Sequence, residues 1–436
     1  VTSSRWRRTQ RMLLALLAAV AVAPALSLLA APIPPIRPIL APACQPLRAL
    51  PTAMTAAEPA LGQEQSASEQ PDALTVLRKE PPHLLRLHRF EYRMLRFIQR
   101  APGLLHLSLG VHYSLLPKVI TPLLALIVWL VSLPAGASLI TFVCASDLLN
   151  TAVKWAVQRP RPRWYSPDAG LVARCGAWEV DLSFPSAHTQ FFGGLFVCAC
   201  VLAGPAYPLA LAILLGSLIG LTRNYLSVHW PTDTLAGLAM GAATGYAWGR
   251  FDPYARLLAA GSAQLSLGVA SGLTGGLLLL LLAVRKIVPP VPSVVAMTWY
   301  DNAVASLPVE ERGAVLANPR RMLRPRSLRS KIPMLVTVWA TLAITALYPA
   351  ALPSAAMEPA RGAGALQAAV GLGGLGAVAL IKAVVERLRI SRAERAAAPD
   401  APLIRNVLKG LTYSAICAWT FLLSQRASHA LLLLLR

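Results

Sequence analysis

Long apolar segments alternate with short polar or basic stretches over most of the chain beyond residue 117. Segments that could cross a membrane are predicted at 119–136, 137–157, 188–204, 207–223, 233–250, 265–284, 333–352, 366–385 and 407–424. Most approach the roughly 20 apolar residues that a helix needs to traverse the hydrocarbon layer. The pattern therefore predicts an all-α protein, a polytopic transmembrane helical bundle with additional C-terminal transmembrane helices.

The region before these segments has two parts. Residues 1–75 hold an arginine-led uncharged stretch at 12–31 and a Pro- and Ala-rich linker, which indicates a targeting leader; a retained signal-anchor helix is the alternative. Within 76–117, an arginine stripe lies beside an apolar face on one predicted helix: Arg86, Arg89, Arg93, Arg96 and Arg100 beside Leu84, Leu87, Phe90, Met94 and Ile98. This arrangement predicts a basic amphipathic helix lying on an anionic membrane surface.

Composition and charge also favour a membrane protein. Of the 436 residues, 56% are hydrophobic and 14% are charged, whereas soluble domains carry about 25% charged residues. The net charge is +22, but most basic residues lie between apolar segments, as in membrane loops, so no nucleic-acid partner is predicted. The six cysteines have neither zinc-site spacing nor a disulfide framework.

The distribution of basic residues predicts a topology. With the loop at 158–186 as reference, the same side of the membrane receives eight basic residues in 77–118, nine in 285–332 and five in 386–406. The positive-inside rule places that loop on the cytoplasmic side, or on the stromal or matrix side of an organelle. We therefore expect a multi-pass protein of the endoplasmic reticulum or of an organelle membrane, plastids included.

Three polar clusters lie at the ends of predicted spans. They are the run from Lys154 to Arg161 and Pro162, the run Pro185-Ser186-Ala187-His188, and Thr222-Arg223 followed by His229 and Asp233. Lys154, Arg161 and Arg223 are cations that suit a multiply charged anion, and arginine matches the geometry of phosphate oxygens. The clusters therefore predict a phosphate site at the membrane surface.

The spacing within the clusters suggests how such a site would work. A helix that has Pro185 in its first turn would place Ser186 and His188 at its N-terminus, where free N–H groups favour phosphate. His229 and Asp233 are four residues apart, so the carboxylate can fix the imidazole tautomer while the other ring nitrogen attacks phosphorus. His188 is then left to protonate the leaving oxygen as a general acid.

Together the clusters resemble the type 2 phosphatidic acid phosphatase superfamily, the lipid phosphate phosphatases, which share their site with vanadium haloperoxidases. The family pattern is Lys-x6-Arg-Pro, then Pro-Ser-Gly-His, then Ser-Arg-x5-His-x3-Asp; this chain departs from it at Ala187 and Thr222. The resemblance predicts a phosphatase core over 118–256, with 257–436 as a C-terminal membrane extension. These extra helices are similar to those of the sphingosine-1-phosphate phosphatase branch.

The resemblance implies a role for each matching residue. It implies phosphate binding by Lys154, Arg161, Ser186 and Arg223, and catalysis by His229, His188 and Asp233, with His229 as the phosphohistidine intermediate. No metal and no cofactor are implied. The implied reaction is hydrolysis of a lipid phosphomonoester or diphosphate, so the expected partners are the lipid phosphate substrate and membrane lipids; no oligomeric state is predicted.

Two other functions fit the same residues. A lipid phosphotransferase would pass the phosphate to an acceptor other than water, and a non-catalytic lipid-binding scaffold would keep only the fold. Haloperoxidase activity is not expected, because those enzymes are soluble. Outside the pattern, His88 and His112 have no predicted role. Arg159, Arg163 and Arg174 are expected to anchor the loop to lipid phosphates, with recognition of a second phosphate or of the lipid headgroup as the alternative, and Trp164 is expected to be an anchor at the membrane interface.

Overall fold

The computed structural model describes residues 82–101, 103–114, 133–165, 171, 173, 178–204, 208–317, 323 and 328–343. The predicted leader and linker at 1–75, most of the span at 119–136, the spans at 366–385 and 407–424, and the basic stretch at 386–406 lie outside these residues. Within the described residues the regular structure is helical throughout, without a strand, so the all-α prediction is confirmed there.

The helices follow one another as α1 (Pro82–Ile98), α2 (Leu104–Ser114), α3 (Leu133–Val157), α4 (Pro162–Tyr165), α5 (Ala187–Ala203), α6 (Leu209–Tyr225), α7 (Pro231–Phe251), α8 (Pro253–Ala260), α9 (Ala263–Ile287), α10 (Ser293–Ala305), α11 (Val309–Leu316) and α12 (Ile332–Ala343), with a 3-10 turn at Leu328–Lys331. Helices α3, α5, α6, α7 and α9 agree with predicted spans to within a few residues. Among the described residues, two stretches, Ala135–Tyr165 and Ala263–Ile287, are long and apolar enough to cross a membrane; α5, α6 and α12 are apolar but shorter.

Helices α5 and α7 pack closely because small residues line their contact. A Cβ atom on Gly241 would lie 2.3 Å from the carbonyl oxygen of Gln190, a distance that no side chain tolerates. Glycine allows the two backbones to approach this closely. The contact brings the N-termini of both helices together, where the Ser186 N–H donates a hydrogen bond to the carbonyl of Asp233 at 2.9 Å. The predicted site lies at this end of the helix pair.

A second core joins α3 to the helices that follow α8. Its buried members include residues of α3, α9 and α12: Ala137, Leu148 and Trp155, then Ala270 and Leu281, then Leu335 and Val338. Helices α9 and α12 of the 257–436 segment therefore pack against α3. Outside this core α9 exposes apolar side chains, as Leu279 and Ile287 illustrate.

Helix α1 packs on the other helices through a face that the sequence pattern did not single out. Leu95 is fully buried, and the Tyr92 hydroxyl donates to the carbonyl of Pro162 at 2.7 Å. The predicted stripe of arginines is exposed along the helix, and so are Phe90 and Met94 beside it. Three faces thus share the helix: a packed face, a basic face and an exposed apolar face. Membrane association of α1 stays a prediction.

Candidate active site

The predicted nucleophile His229 lies in the short turn between α6 and α7. Asp233, in the first turn of α7, accepts a hydrogen bond from the Trp230 N–H at 2.9 Å, which caps the helix and shapes this turn. The His229 side chain is 1% exposed, and its Nδ1 lies 3.6 Å from Oδ2 of Asp233. That distance is slightly longer than a hydrogen bond. The structure nevertheless brings the two predicted residues into close contact.

The contacts of the His229 ring define which nitrogen carries the lone pair. Nη1 of Arg161 lies 3.2 Å from Nε2, and a guanidinium group can only donate. Nε2 is therefore the acceptor, and in the neutral ring the proton lies on Nδ1, which faces Asp233. Burial, and then the positive charges of Arg161 and Lys154, hold the pKa of His229 well below its usual range, so the ring is neutral at neutral pH.

Asp233 is held through both of its carboxylate oxygens. Oδ2 accepts from the hydroxyl of Ser183 and from the Trp230 N–H, while Oδ1 accepts from Nη1 of Arg159 at 2.7 Å. The carboxylate is fully buried, and hydrogen bonds in such surroundings restrict its orientation. Ser183 and Arg159 were not among the predicted site residues, although both lie within a few residues of the motifs.

Two guanidinium groups converge on one carboxylate. Nη2 of Arg223 pairs with Oε1 of Glu179, and Nη2 of Arg161 lies 3.9 Å from Oε2. Burial alone would raise the pKa of the Glu179 carboxyl, but the charges of Arg161 and Arg223 outweigh burial and lower this pKa, so the group is ionised. Nε of Arg223 is buried without a hydrogen-bond partner among the described residues. The Glu179 carboxylate therefore lies between positively charged groups that would also suit a phosphate.

The other predicted phosphate-binding residues are Lys154 and Ser186. Lys154 is buried near the end of α3, and its Nζ donates to the carbonyl of Leu182, which also accepts from Arg161 at 3.3 Å. Ser186 is the N-cap residue of α5, and its hydroxyl accepts from Thr189 at 3.0 Å. The structure thus places Lys154 beside Arg161 and Ser186 at the start of α5.

His188 lies in the first turn of α5, which begins two residues after Pro185 rather than with Pro185 in its first turn as predicted. One potential ligand atom each from His188, Glu179 and His112 lie within 4.8 Å of one another, a spacing that could hold a metal ion. However, Arg223 donates to Nδ1 of His112 at 2.6 Å and also to Glu179. Its fixed positive charge opposes a cation at this place and favours an anion.

Other interface and core residues differ from the sequence expectation. His112 comes from α2, 111 residues before its partner Arg223, so no local spacing announces it. Arg159, expected as a lipid anchor, pairs with Glu91 and Asp233 instead. Trp164, expected at the membrane interface, is 2% exposed and belongs to the core around α3. The sequence pattern did not reveal these positions, because their contacts join residues that are distant along the chain.

Comparison with known proteins tests the family resemblance. A profile described as the PAP2 superfamily matches residues 135–256, from α3 into α8. YbjG of Escherichia coli, provisionally named an undecaprenyl-diphosphatase, is 31% identical over 144 residues, which are 32% of this chain and 70% of that protein. The chain belongs to the PAP2 superfamily. The resemblance predicted from the three clusters is confirmed.

Two further relatives are similar to part of this chain. A lipid A 1-phosphatase of Rhizobium johnstonii is 37% identical over 109 residues, 24% of this chain and 43% of that protein. A decaprenylphosphoryl-5-phosphoribose phosphatase of Mycobacterium tuberculosis is 35% identical over 117 residues, 27% of this chain and 57% of that protein. The chain thus spans less than half the length of the rhizobial relative. No solved structure matches it.

Proposed function

We propose that this PAP2 protein hydrolyses a phosphomonoester or diphosphate group from a membrane lipid. The observation that carries the proposal is the contact between Nε2 of His229 and Arg161 at 3.2 Å, together with the approach of Nδ1 to Asp233 at 3.6 Å. The neutral imidazole thereby directs its Nε2 lone pair towards the positively charged groups that would bind the phosphate. This is the arrangement that a nitrogen nucleophile for phosphorus requires.

The reaction proceeds in two displacements. Nε2 of His229 attacks phosphorus and forms a P–N bond, the bond from phosphorus to the lipid oxygen breaks, and His188 gives that oxygen a proton. Water then attacks the phosphohistidine, His188 takes a proton from it, the P–N bond breaks and inorganic phosphate leaves. Asp233 stabilises the positive charge that the ring acquires in the first step.

The cationic residues stabilise the charge on the transferred phosphoryl group. Arg161 and Arg223 already hold a carboxylate between them, and Lys154 shares the carbonyl of Leu182 with Arg161. Buried donors of this kind act strongly, because little water screens them and they need not reorganise during the reaction. These interactions take the place of a metal ion in the proposed chemistry, so the reaction is independent of metal.

The substrate class follows from the surroundings of the site and from its relatives. The relatives' names refer to the 1-phosphate of lipid A, to undecaprenyl diphosphate and to a phosphorylated decaprenyl sugar. These substrates share a phosphate or diphosphate carried by a large apolar anchor. The apolar helices α3 and α9 would hold this protein in the bilayer that contains such an anchor.

We also propose how the protein lies in the membrane. It is a multi-pass protein of the endoplasmic reticulum or an organelle membrane, with the catalytic loop facing the cytoplasm, stroma or matrix, and α1 rests on the same surface. The exposed arginines of α1 and the basic residues of 285–332 support this orientation. Labelling of single cysteines placed in 285–332 from one side of intact membranes tests it, and labelling only from the lumenal side would contradict it.

The decisive experiment measures phosphate release from purified protein in detergent with excess EDTA. The panel contains lipid A 1-phosphate, a polyprenyl diphosphate, phosphatidate and a sphingoid-base phosphate. We expect release from at least one lipid, and a loss of at least about 1,000-fold in His229→Ala, because the nucleophile is removed. When the lipid carries a labelled phosphate and the protein is denatured without acid, the label should remain bound to the wild-type chain and be absent from His229→Ala.

A matched control separates chemistry from folding. His106 is an exposed histidine on α2, and His106→Ala should retain wild-type release. Equal release by His229→Ala and wild type, or loss of all release on addition of EDTA, would contradict the proposed mechanism. Loss of phosphate from the lipid only when an alcohol acceptor is present, with formation of the phosphorylated alcohol instead of inorganic phosphate, would favour the phosphotransferase.

A further inference from the structure

Helix α1 contributes a buried acidic side chain to the interior of the PAP2 protein. Glu91 is 1% exposed, although it belongs to a helix whose neighbouring arginines face outward. Its Oε1 accepts from the backbone N–H of Thr232 at 3.0 Å and from the Thr232 hydroxyl at 2.6 Å. Its Oε2 pairs with the guanidinium group of Arg159. Every partner of Glu91 thus lies at or next to the motifs of the active site.

Arg159 connects Glu91 to the carboxylate beside the nucleophile. Its Nη1 donates to Oδ1 of Asp233 and to the Thr232 hydroxyl, each at 2.7 Å. The guanidinium carbon also lies 4.9 Å from the ring centre of Trp230, which precedes α7. The chain of contacts therefore runs from Glu91 through Arg159 to Asp233, and from Asp233 to His229.

The charges make this chain of contacts necessary. Glu91 and Asp233 are both buried carboxylates, and Arg159 is the guanidinium group that lies between them. Removing one member of a buried ion network leaves the other members uncompensated, and these then move or take up water. Without Glu91, Arg159 loses the carboxylate at Nη2 and keeps the Thr232 hydroxyl and the Trp230 ring as its contacts beside Asp233, so its position on Asp233 is held less firmly.

We propose that Glu91 is a positioning residue for the phosphoryl-transfer site. It holds Arg159 on Oδ1 of Asp233, which leaves Oδ2 directed at Nδ1 of His229 and Nε2 aligned for attack. The docking of α1 is therefore part of the active site, and α1 has to be seated for full turnover. The catalytic part of this inference rests on the proposed function. Its structural part rests on the contacts that Glu91 makes.

The kinetic test compares Glu91→Gln, Arg159→Met and the double variant with wild type on the lipid that wild type hydrolyses. Because Glu91 does not touch phosphate, kcat should fall in Glu91→Gln on the order of tenfold to hundredfold, as expected for a misaligned nucleophile, while KM changes little. The double variant should be no slower than Arg159→Met, because both changes break the same link. Glu91→Asp, which keeps the charge, should recover part of the lost kcat.

Tyr92→Phe is the matched control. It removes another side-chain hydrogen bond of this turn of α1, the one to the Pro162 carbonyl, and leaves the contacts of Glu91 with Arg159 and Thr232 in place. Wild-type kcat is expected for it. An unchanged kcat in Glu91→Gln would overturn the proposal. So would losses in Glu91→Gln and Arg159→Met that multiply in the double variant, because a general loss of stability would produce that pattern.

A binding measurement reads the position of His229 without turnover. Vanadate can accept Nε2 as a fifth ligand, whereas sulfate binds only through the cationic groups. Wild type should therefore prefer vanadate to sulfate, and Glu91→Gln should reduce that preference about tenfold with sulfate affinity unchanged. If wild type releases no phosphate from any lipid, the proposed function fails and this ratio still tests Glu91. Equal preference in both proteins, or no vanadate preference in wild type, would overturn the inference.

Discussion

Helices α7 and α9 carry the same sequence signal and use it differently. Both have glycines at four-residue intervals: Gly237, Gly241, Gly245 and Gly249 on α7, and Gly268, Gly272 and Gly276 on α9. On α7, a Cβ at Gly241 or Gly245 would lie 2.3 or 2.2 Å from a carbonyl oxygen of α5. On α9, a Cβ at Gly272 would meet no heavy atom of the described residues within 4 Å.

The difference between the two helices follows from the surfaces that each of them contacts. The α5–α7 contact fixes the N-termini that present Ser186, His188 and Asp233, so backbone spacing there determines the geometry of the site. Helix α9 lies outside the PAP2 match and presents exposed leucines along much of its surface. In a bilayer such a surface needs to be apolar rather than closely fitted. Among the described residues, a small-residue repeat therefore marks a close helix contact on α7 and not on α9.

The largest expected effect tests this comparison directly. Gly241→Ala forces α5 and α7 apart, and we expect a loss of about 2 kcal/mol or more in unfolding free energy together with most of the phosphatase activity. Gly272→Ala should instead leave activity unchanged and alter stability by at most about 1 kcal/mol, on the stabilising side, because alanine favours a helix. Thermal unfolding in detergent and kcat measure both. Equal losses in the two variants would remove the distinction.

A smaller effect is expected at the anion position of the site. Glu179→Gln removes the negative charge that lies between Arg161 and Arg223, so inorganic phosphate should inhibit about tenfold more strongly. Glu310→Gln, at an exposed position of α11, should not alter inhibition. The inhibition constant for phosphate is the measurement. Unchanged or weaker inhibition in Glu179→Gln would show that the carboxylate does not compete with phosphate.

The smallest expected effect is a shift in pH dependence. Because the pKa of His229 is lowered by burial and by Arg161 and Lys154, the ring stays neutral at pH values where an exposed histidine is protonated. The acidic limb of kcat/KM should therefore lie below the ordinary histidine pKa of about 6.5. Lys154→Met removes one of the positive charges, so it should move that limb to higher pH. If the acidic limb of wild type lay at the ordinary histidine pKa, the expectation of a buried neutral nucleophile would be wrong.

Much of the PAP2 fold could be predicted from local pattern. Helices α3, α5, α6, α7 and α9 follow apolar segments whose length and composition leave few alternatives. The motif residues assigned to the site come close together in the structure, because each motif lies at a helix end, and their catalytic and phosphate-binding roles stay predictions. Arg159 was assigned to the membrane interface, since nothing in its own neighbourhood reveals that Glu91 lies 68 residues away in sequence and beside it in space.

The sequence alone determined that the described part of the chain is helical, that several of its segments are apolar enough for a membrane, and which charged and polar residues lie at the helix ends of the predicted site. These properties depend on composition and on spacing within one helix or turn. Only the tertiary structure decided that Glu179 lies between two arginines, that His112 reaches Arg223, and that α1 supports Asp233 through Glu91. Those contacts join separate elements, and their energies depend on burial and charge in three dimensions rather than on distance along the chain.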